Sequence, residues 1–371
     1  MELRAGGALA AAPLAFLALS APAPAQAKAP HVSGVRCVAD CAGLRAGAEG
    51  STFRWTGRHL AQVRAIRFPA RGGGRAAAKP LASRSRRVRA RVPAGGAGGR
   101  PSLLTPNRSR AFARAPVRIV KPGDLVPEHA FSLLHSRAHP RTAFFDGRRV
   151  HIRFRFRTRS FSDIKLNIVR RSTGGVVAHF RRRNVSPFSA HALRWDGIGR
   201  RGVVPPGGYA VRVGKAHGHG DTGARFTMLP FDFPVRGSHG YGGPIQRFGA
   251  PRSGGRVHQG QDIFSSCGTR EVAARGGRVT ATGYDPVLYG YWLVIDGRAT
   301  STDYRYAHLI GPTPLHSGER VRTGETVGNV GRTGNARTVG CMLHFEEWPQ
   351  GWEIGSPVDP LGDLLRWDGW S

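Results

Sequence analysis

The chain has 371 residues, 40% of them apolar, and a formal net charge of +33 from 56 Lys plus Arg against 23 Asp plus Glu. That length suits two or three domains with buried cores, and 9% aromatics with repeated apolar alternation exclude a wholly disordered chain. Fifty-two Gly and 26 Pro exclude a long helical bundle and point to short strands joined by turns. No apolar run after residue 30 approaches the roughly 20 residues that a membrane helix needs. Residues 231–371 hold 14 Arg, no Lys and 14 Asp plus Glu, so the whole excess charge lies in residues 1–230. A cationic first part is joined to a neutral last part, and any function of the charge belongs to the first.

At the amino terminus, Arg4 precedes an Ala- and Leu-rich stretch from Ala5 to Leu19 and then Ala-Gln-Ala at 25–27. This order predicts a signal peptide over residues 1–27, cut after Ala27, with no transmembrane segment left after cleavage. The competing reading, an uncleaved anchor helix, is opposed by Pro13, Pro22 and Pro24. Export implies an oxidising, extracytoplasmic destination, secreted or in the cell envelope, where four cysteines are more easily two disulfides than free thiols.

Residues 31–120 read as strands. Phe53-Arg54-Trp55-Thr56-Gly57 and Val88-Arg89-Ala90-Arg91-Val92 alternate, and Pro93 with Gly95-Gly96 breaks the second run. Cys37 and Cys41 lie four apart. They are either a metal half-site, for which no nearby Cys or His pair completes four ligands, or a local disulfide, the favoured reading. The run from Gly50 through FRWTGRHLAQVRAIRF to VRARVP resembles an IPT/TIG Ig-like domain, which implies a spacer or binding module.

A second β-rich block covers residues 128–230. Ile152, Phe154 and Phe156 alternate with Arg153, Arg155 and Arg157, so period two sends the apolar three to one face and the arginines to the other. Trp195-Asp196-Gly197, Pro205-Pro206-Gly207-Gly208-Tyr209 and Ala210-Val211-Arg212-Val213 are turn chemistry feeding a strand. This hairpin pattern resembles the Ig-like sandwich of FlgD-type proteins. The arginine face and Arg181-Arg182-Arg183 would attract phosphates, yet no helix-turn-helix, zinc-finger or RNP pattern is present. No specific nucleic-acid partner is expected. An exported protein would meet anionic wall polymers or lipid headgroups instead, and a merely solvated basic surface is the commoner case.

Chemistry concentrates in residues 231–371. The segment His258-Gln259-Gly260-Gln261-Asp262 and the segment Met342-Leu343-His344-Phe345-Glu346 together offer two imidazoles and a carboxylate, a set that Zn2+ takes in catalytic sites with a water completing the shell. Gly260 argues against a helix between His258 and Asp262. Alternation puts Met342, His344 and Glu346 on one face and Cys341, Leu343 and Phe345 on the other. Each piece alone is weak. In order, with FPVRG at 233–237, FGAPR at 248–252, YAHL at 306–309 and GERVRTGETVGNVGRTGNA at 318–336, they are specific.

Residues 233–365 resemble a lysostaphin-type, or LytM-type, zinc endopeptidase domain. The resemblance implies a small antiparallel β-sheet domain with a groove, acting on peptide cross-bridges or stems of peptidoglycan. Its H-x-G-x-D motif falls on His258, Gly260 and Asp262, its metal histidine in HLHFE on His344, and its further active-site histidine on His308. One position departs: the first histidine of HLHFE is Met342 here, and a thioether carries no proton. Two functions follow, an active zinc metallopeptidase or a metal-holding, catalytically weak peptidoglycan-binding regulator. Cys267 and Cys341 are read as a disulfide tying the two ligand-bearing segments together, in preference to a thiolate metal site. Glu346 is a minor candidate for supporting a ligand histidine, His239 and His316 are read as surface residues, and substrate choice is expected in loops such as 284–303. The expected class is mainly β: two Ig-like β-sandwich domains, then a small antiparallel β-sheet metallopeptidase domain.

Overall fold

The computed structural model describes residues 28–370, so the expected signal peptide lies outside the described residues. The chain is mainly β, as composition and alternation led us to expect. No helix among the described residues is long and apolar enough to cross a membrane.

Residues 31–119 build two facing sheets. His31–Gly43, Ala46–Arg58, Arg87–Arg91 and Pro80–Arg84 form one, with Arg118–Ile119 pairing parallel to the second of these strands. Arg75–Ala78, Ala65–Pro69, Ser102–Leu104 and Arg110–Phe112 form the other. Phe53, Trp55, Val88 and Ala90 are buried between them while Arg87, Arg89 and Arg91 face water, as their alternation requires. Cys37 and Cys41 are disulfide-bonded inside the bulged first strand.

The next block pairs a three-stranded sheet, Ser132–His139, Val150–Arg157 and His191–Trp195, with a five-stranded sheet running Thr142–Phe144, Gly220–Leu229, Gly207–Lys215, Ser162–Arg170, Val176–Val185. Ile152, Phe154 and Phe156 enter one core with Leu166, Ile168, Val211 and Val213. The Trp195-Asp196-Gly197 turn is set locally: the Ile198 N–H donates to Asp196 Oδ1 at 3.2 Å, and Gly197 takes φ 90°, which a side chain would strain. Behind it, Trp195, Tyr209 and Phe226 pack ring on ring, and the Tyr209 hydroxyl donates to the Pro205 carbonyl at 2.6 Å.

The last block is a seven-stranded antiparallel sheet ordered His239–Tyr241, Gln261–Ser265, Met342–Pro349, Thr302–Leu309, Gly290–Gly297, Gly277–Asp285, Arg320–Val321. One face carries the core, with Ile263, Leu293, Ile295, Tyr304, Tyr306, Leu343 and Phe345. The closing helix Leu361–Asp368 stacks Trp367 on Phe231 at 4.6 Å between ring centroids. The segment 284–303, expected as a specificity loop, holds the strand Gly290–Gly297 and the ends of its two neighbours in this sheet. Two turns stay irregular, 286–289, closed by the direct pairs Tyr284↔Tyr291 and Asp285↔Gly290, and 298–301 before the next strand.

This domain is locked onto the one before it. Asp146 accepts from Arg298 Nη1 at 2.5 Å and Arg320 Nη2 at 2.8 Å, and the Thr323 hydroxyl donates to the Phe145 carbonyl at 2.6 Å. Arg275 is buried between the Phe145 and Phe231 rings, donating to the Pro230 and Arg298 carbonyls; burial lowers its pKa to about 10.

Candidate functional site

Three adjacent strands build the site. Asp262 and His344 are direct cross-strand partners, and Ala307 faces His344 from the other side. Same-face partners across an antiparallel pair stand within side-chain reach, so the register alone brings Asp262 to His344. His258 arrives from the segment before its strand. Gly260 lets that segment close, because a Cβ there would stand 2.2 Å from the Phe345 carbonyl oxygen. The glycine of the motif is therefore a demand of backbone approach, not of ligand chemistry.

His258, Asp262 and His344 are all buried, and each offers one donor atom within 4.8 Å of the others. Asp262 Oδ1 lies 2.9 Å from His344 Nδ1 and 3.2 Å from His258 Nε2. Partners on the far side of each ring fix its orientation. His258 Nδ1 lies 2.9 Å from the Arg247 carbonyl. A carbonyl only accepts, so Nδ1 carries the proton and the Nε2 lone pair faces the cluster. His344 Nε2 lies 2.9 Å from Glu346 Oε1, and that carboxylate also accepts from Trp348 Nε1 at 2.6 Å. Glu346 thus holds the proton of His344 at Nε2 and turns Nδ1 toward Asp262.

The electrostatics follow from this crowding. Burial alone would raise the Asp262 pKa, yet the two histidines beside it hold it far below the usual carboxylate range. Burial would lower the pKa of His344, but Asp262 and Glu346 overcome it and raise it to about 9. The proton this places at Nδ1 stands where a cation would stand. Two imidazole nitrogens and one carboxylate oxygen, convergent and buried, fit Zn2+.

His308 reaches the same groove by an irregularity. Its neighbour Ala307 is on the His344 face, so strict alternation would turn His308 toward the core. A register shift at Tyr291/Trp292 and a φ of 66° re-aim it. His308 Nδ1 donates to the Thr333 carbonyl at 2.9 Å, leaving Nε2 as the acceptor. Its ring lies 5.8 Å from that of His344, and burial, followed by the charge of His344, lowers its pKa to about 4. Met342 is 2% exposed and lines the same groove, which encloses roughly 560 Å³. Cys267 is bonded to Cys341, joining the segment after the Asp262 strand to the one before the His344 strand. Glu346 is wholly buried beside His344, and its place is more central than its sequence suggested. His239, read as a surface residue, is instead largely covered, its ring tilted against Phe233 and 3.2 Å from Asp368 away from the groove, while His316 is exposed as expected.

Sequence reasoning missed Tyr289 and Arg305. Tyr289 donates to Gln259 Oε1 at 2.9 Å beside His258. Arg305 lies opposite Glu346 in the ladder, 3.7 Å from its carboxylate, with its guanidinium 3.6 Å from the Tyr289 ring centroid. Period two from Ala307 would have found Arg305 on the site face; nothing local marks Tyr289.

This constellation on an antiparallel sheet is that of a metallopeptidase-type domain, and residues 256–360 match Peptidase family M23. The C-terminal domain is a LytM-type peptidase domain, as its motifs led us to expect. Similar solved structures include the catalytic domain of the antimicrobial peptidase lysostaphin from Staphylococcus simulans, at 24% identity over 34% of this chain and 92% of that one, TM-score 0.30. Another is a mutant catalytic domain of the prophage-encoded M23 protein EnpA from Enterococcus faecalis, at 26% identity over 34% of this chain and 93% of that one, TM-score 0.29. A third is LytU, at 24% identity over 36% of this chain and 85% of that one, TM-score 0.29.

Proposed function

We propose that the chain is an exported zinc metalloendopeptidase that hydrolyses peptide bonds in bacterial cell-wall peptidoglycan. The observation that carries this reading is the convergence of His258 Nε2, Asp262 Oδ1 and His344 Nδ1 in the groove that also holds His308. His258, Asp262 and His344 would hold the metal, which supplies Lewis-acid polarisation of the scissile carbonyl and of water. The Arg247 carbonyl and Glu346 keep the two imidazole lone pairs aimed inward. His308, its Nδ1 proton committed to Thr333, presents Nε2 to accept a proton or, once protonated, to donate one. Met342 orients nothing polar, so His308 acts without the second imidazole that its family motif carries. The groove walls bear Ile245, Val257 and Val339, all exposed, which suits a peptide with small apolar side chains.

The two amino-terminal blocks are proposed as Ig-type modules that carry the peptidase domain within the envelope. The Tyr209 hydroxyl bond to the Pro205 carbonyl, the turn-locking contact typical of such sandwiches, supports this for residues 128–230. A second reading, a metal-holding but catalytically silent peptidoglycan binder, is favoured by Met342 alone. Digestion of purified peptidoglycan, followed by gel and by release of new amino groups, separates the two. Cleavage that stops with chelator and returns with zinc supports the enzyme. Sedimentation with peptidoglycan without cleavage, in zinc-loaded protein, replaces it with the binder.

A further inference from the structure

Away from the groove, a cleft of roughly 850 Å³ lies between the second β-domain and the peptidase domain. Eight arginines line it against two aspartates. One of those, Asp146, is already taken by Arg298 and Arg320 of the peptidase domain. The other, Asp196, accepts the Ile198 N–H of its own turn. Among the described residues, Arg137, Arg149, Arg153 and Arg194 have no carboxylate within ion-pairing distance.

The opposite wall is the outer face of the three-stranded sheet, and its register aligns like charges. Arg137 stands directly opposite Arg153, and His139, His151 and Arg194 form a row across all three strands. Like charges directly opposite destabilise a sheet, and none of the three strands carries an acid. Along Val150–Arg157 the row runs on through Arg155 and Arg157, all exposed, over about 20 Å. A guanidinium fork matches phosphate oxygens two at a time. A ladder of such forks ending in a cleft suits a linear polymer better than a single ion. The lining includes no Phe, Tyr or Trp, so it offers no platform on which nucleobases would stack.

We propose that this interdomain cleft binds a linear phosphate polymer without bases, docking the protein on an anionic chain while the peptidase groove faces elsewhere. The site goes beyond the peptidase reading and does not depend on catalysis. Two sources share the chemistry, a poly(glycerol phosphate) and inorganic polyphosphate.

The test uses the full mature chain and labelled polymers of both kinds over a salt series. The triple variant Arg149→Gln, Arg153→Gln, Arg194→Gln is compared with Arg84→Gln, Arg86→Gln, Arg89→Gln, which removes equal charge from an exposed edge of the first domain. The cleft variant should bind at least tenfold more weakly, with a salt slope reduced by about three, one per lost phosphate contact. The edge variant should change little. Thermal melts and zinc content should be the same for all three proteins. Which polymer binds at the higher salt identifies the source. Equal losses in the two triples would make the attraction a diffuse surface effect and overturn the cleft. So would tighter binding of a thymidine oligonucleotide of matched charge, or no binding of either polymer by the natural chain.

Discussion

Two eight-residue strands, Val150–Arg157 and Met342–Pro349, share an alternating pattern and come to opposite ends. In the first, every second residue is buried and the cations between them meet water. In the second, both faces are buried up to the last residue. Its apolar face, Leu343 and Phe345, enters the core as the first strand's does. Its polar face, His344 and Glu346, is enclosed by neighbouring strands and groove walls, so each polar atom there needs a partner. His344 finds Asp262 and Glu346; Glu346 finds His344 and Trp348. A polar face in water is free to vary, whereas an enclosed one becomes a network in which each member fixes the next.

The largest break of this contrast is His344→Ala. On the proposed function, it should abolish zinc binding and lower peptidoglycan cleavage by about a thousandfold or more, read by metal analysis and release of amino groups, because one of three proposed ligands is lost. The matching change on the exposed face, Arg155→Ala, should leave zinc content intact and stability within about 0.5 kcal/mol. If both variants behave alike, the contrast between the strands is empty.

Next in size is Met342→His. It puts an imidazole back on the enclosed face without moving His258, Asp262 or His344. Turnover should rise by up to roughly a hundredfold if acid–base help limits the reaction, measured as kcat on a soluble peptidoglycan peptide. No change would mean that His308 already supplies what the reaction needs.

Glu346→Gln sharpens the point about fixed partners. The amide keeps the size but gives up the negative charge that holds the Nε2 proton of His344. Zinc affinity should fall by about tenfold, within the range for lost supporting carboxylates, as read by competition with a chromophoric chelator. Unchanged affinity would make Glu346 a packing residue.

A separate effect, on stability alone, belongs to Glu347, one of whose carboxylate oxygens is left unpaired. Its Oε1 is buried without a hydrogen bond, and burial, with the negative charge of Asp363 next, raises its pKa to about 9. The folded state thus holds this proton more tightly than the unfolded one. Its contribution is fully present below about pH 4 and is lost as pH climbs toward 9. Glu347→Gln, which cannot ionise, should be more stable than the natural chain at pH 8, by on the order of 2 kcal/mol. The gap should close near pH 4 in denaturant melts. A gap that does not change with pH would show that Glu347 is ionised and satisfied.

Much of the site was legible in the sequence, and the reason is local. Alternation fixes which residues share a face, so Met342, His344 and Glu346 on one side and Leu343 and Phe345 on the other follow from period two alone, as do the cations of Val150–Arg157. His258, Gly260 and Asp262 sit within five residues, a spacing that is weak alone and became specific only through the ordered motifs around it and the family resemblance they carry. The expectation held only in part at 284–303: Leu288 and Tyr289 of its first turn line the groove, while Gly290–Gly297, read as loop among Gly and Asp breakers, is a strand.

The sequence by itself determined the β architecture, the candidate ligand types and the imbalance of charge between the two parts of the chain, since these depend on residue type and short spacing. Only the tertiary structure decided that His308 turns into the groove against its own alternation, through a bulge in its pairing with the preceding strand. It decided too that Gly260 answers to the Phe345 carbonyl, and that Asp146 and its two arginines close one side of a cationic cleft. Each of these is a contact between separate strands or domains, or a face enclosed by a neighbour. Neither has a signature in local composition, because what makes a polar group consequential is the water it loses when another strand covers it.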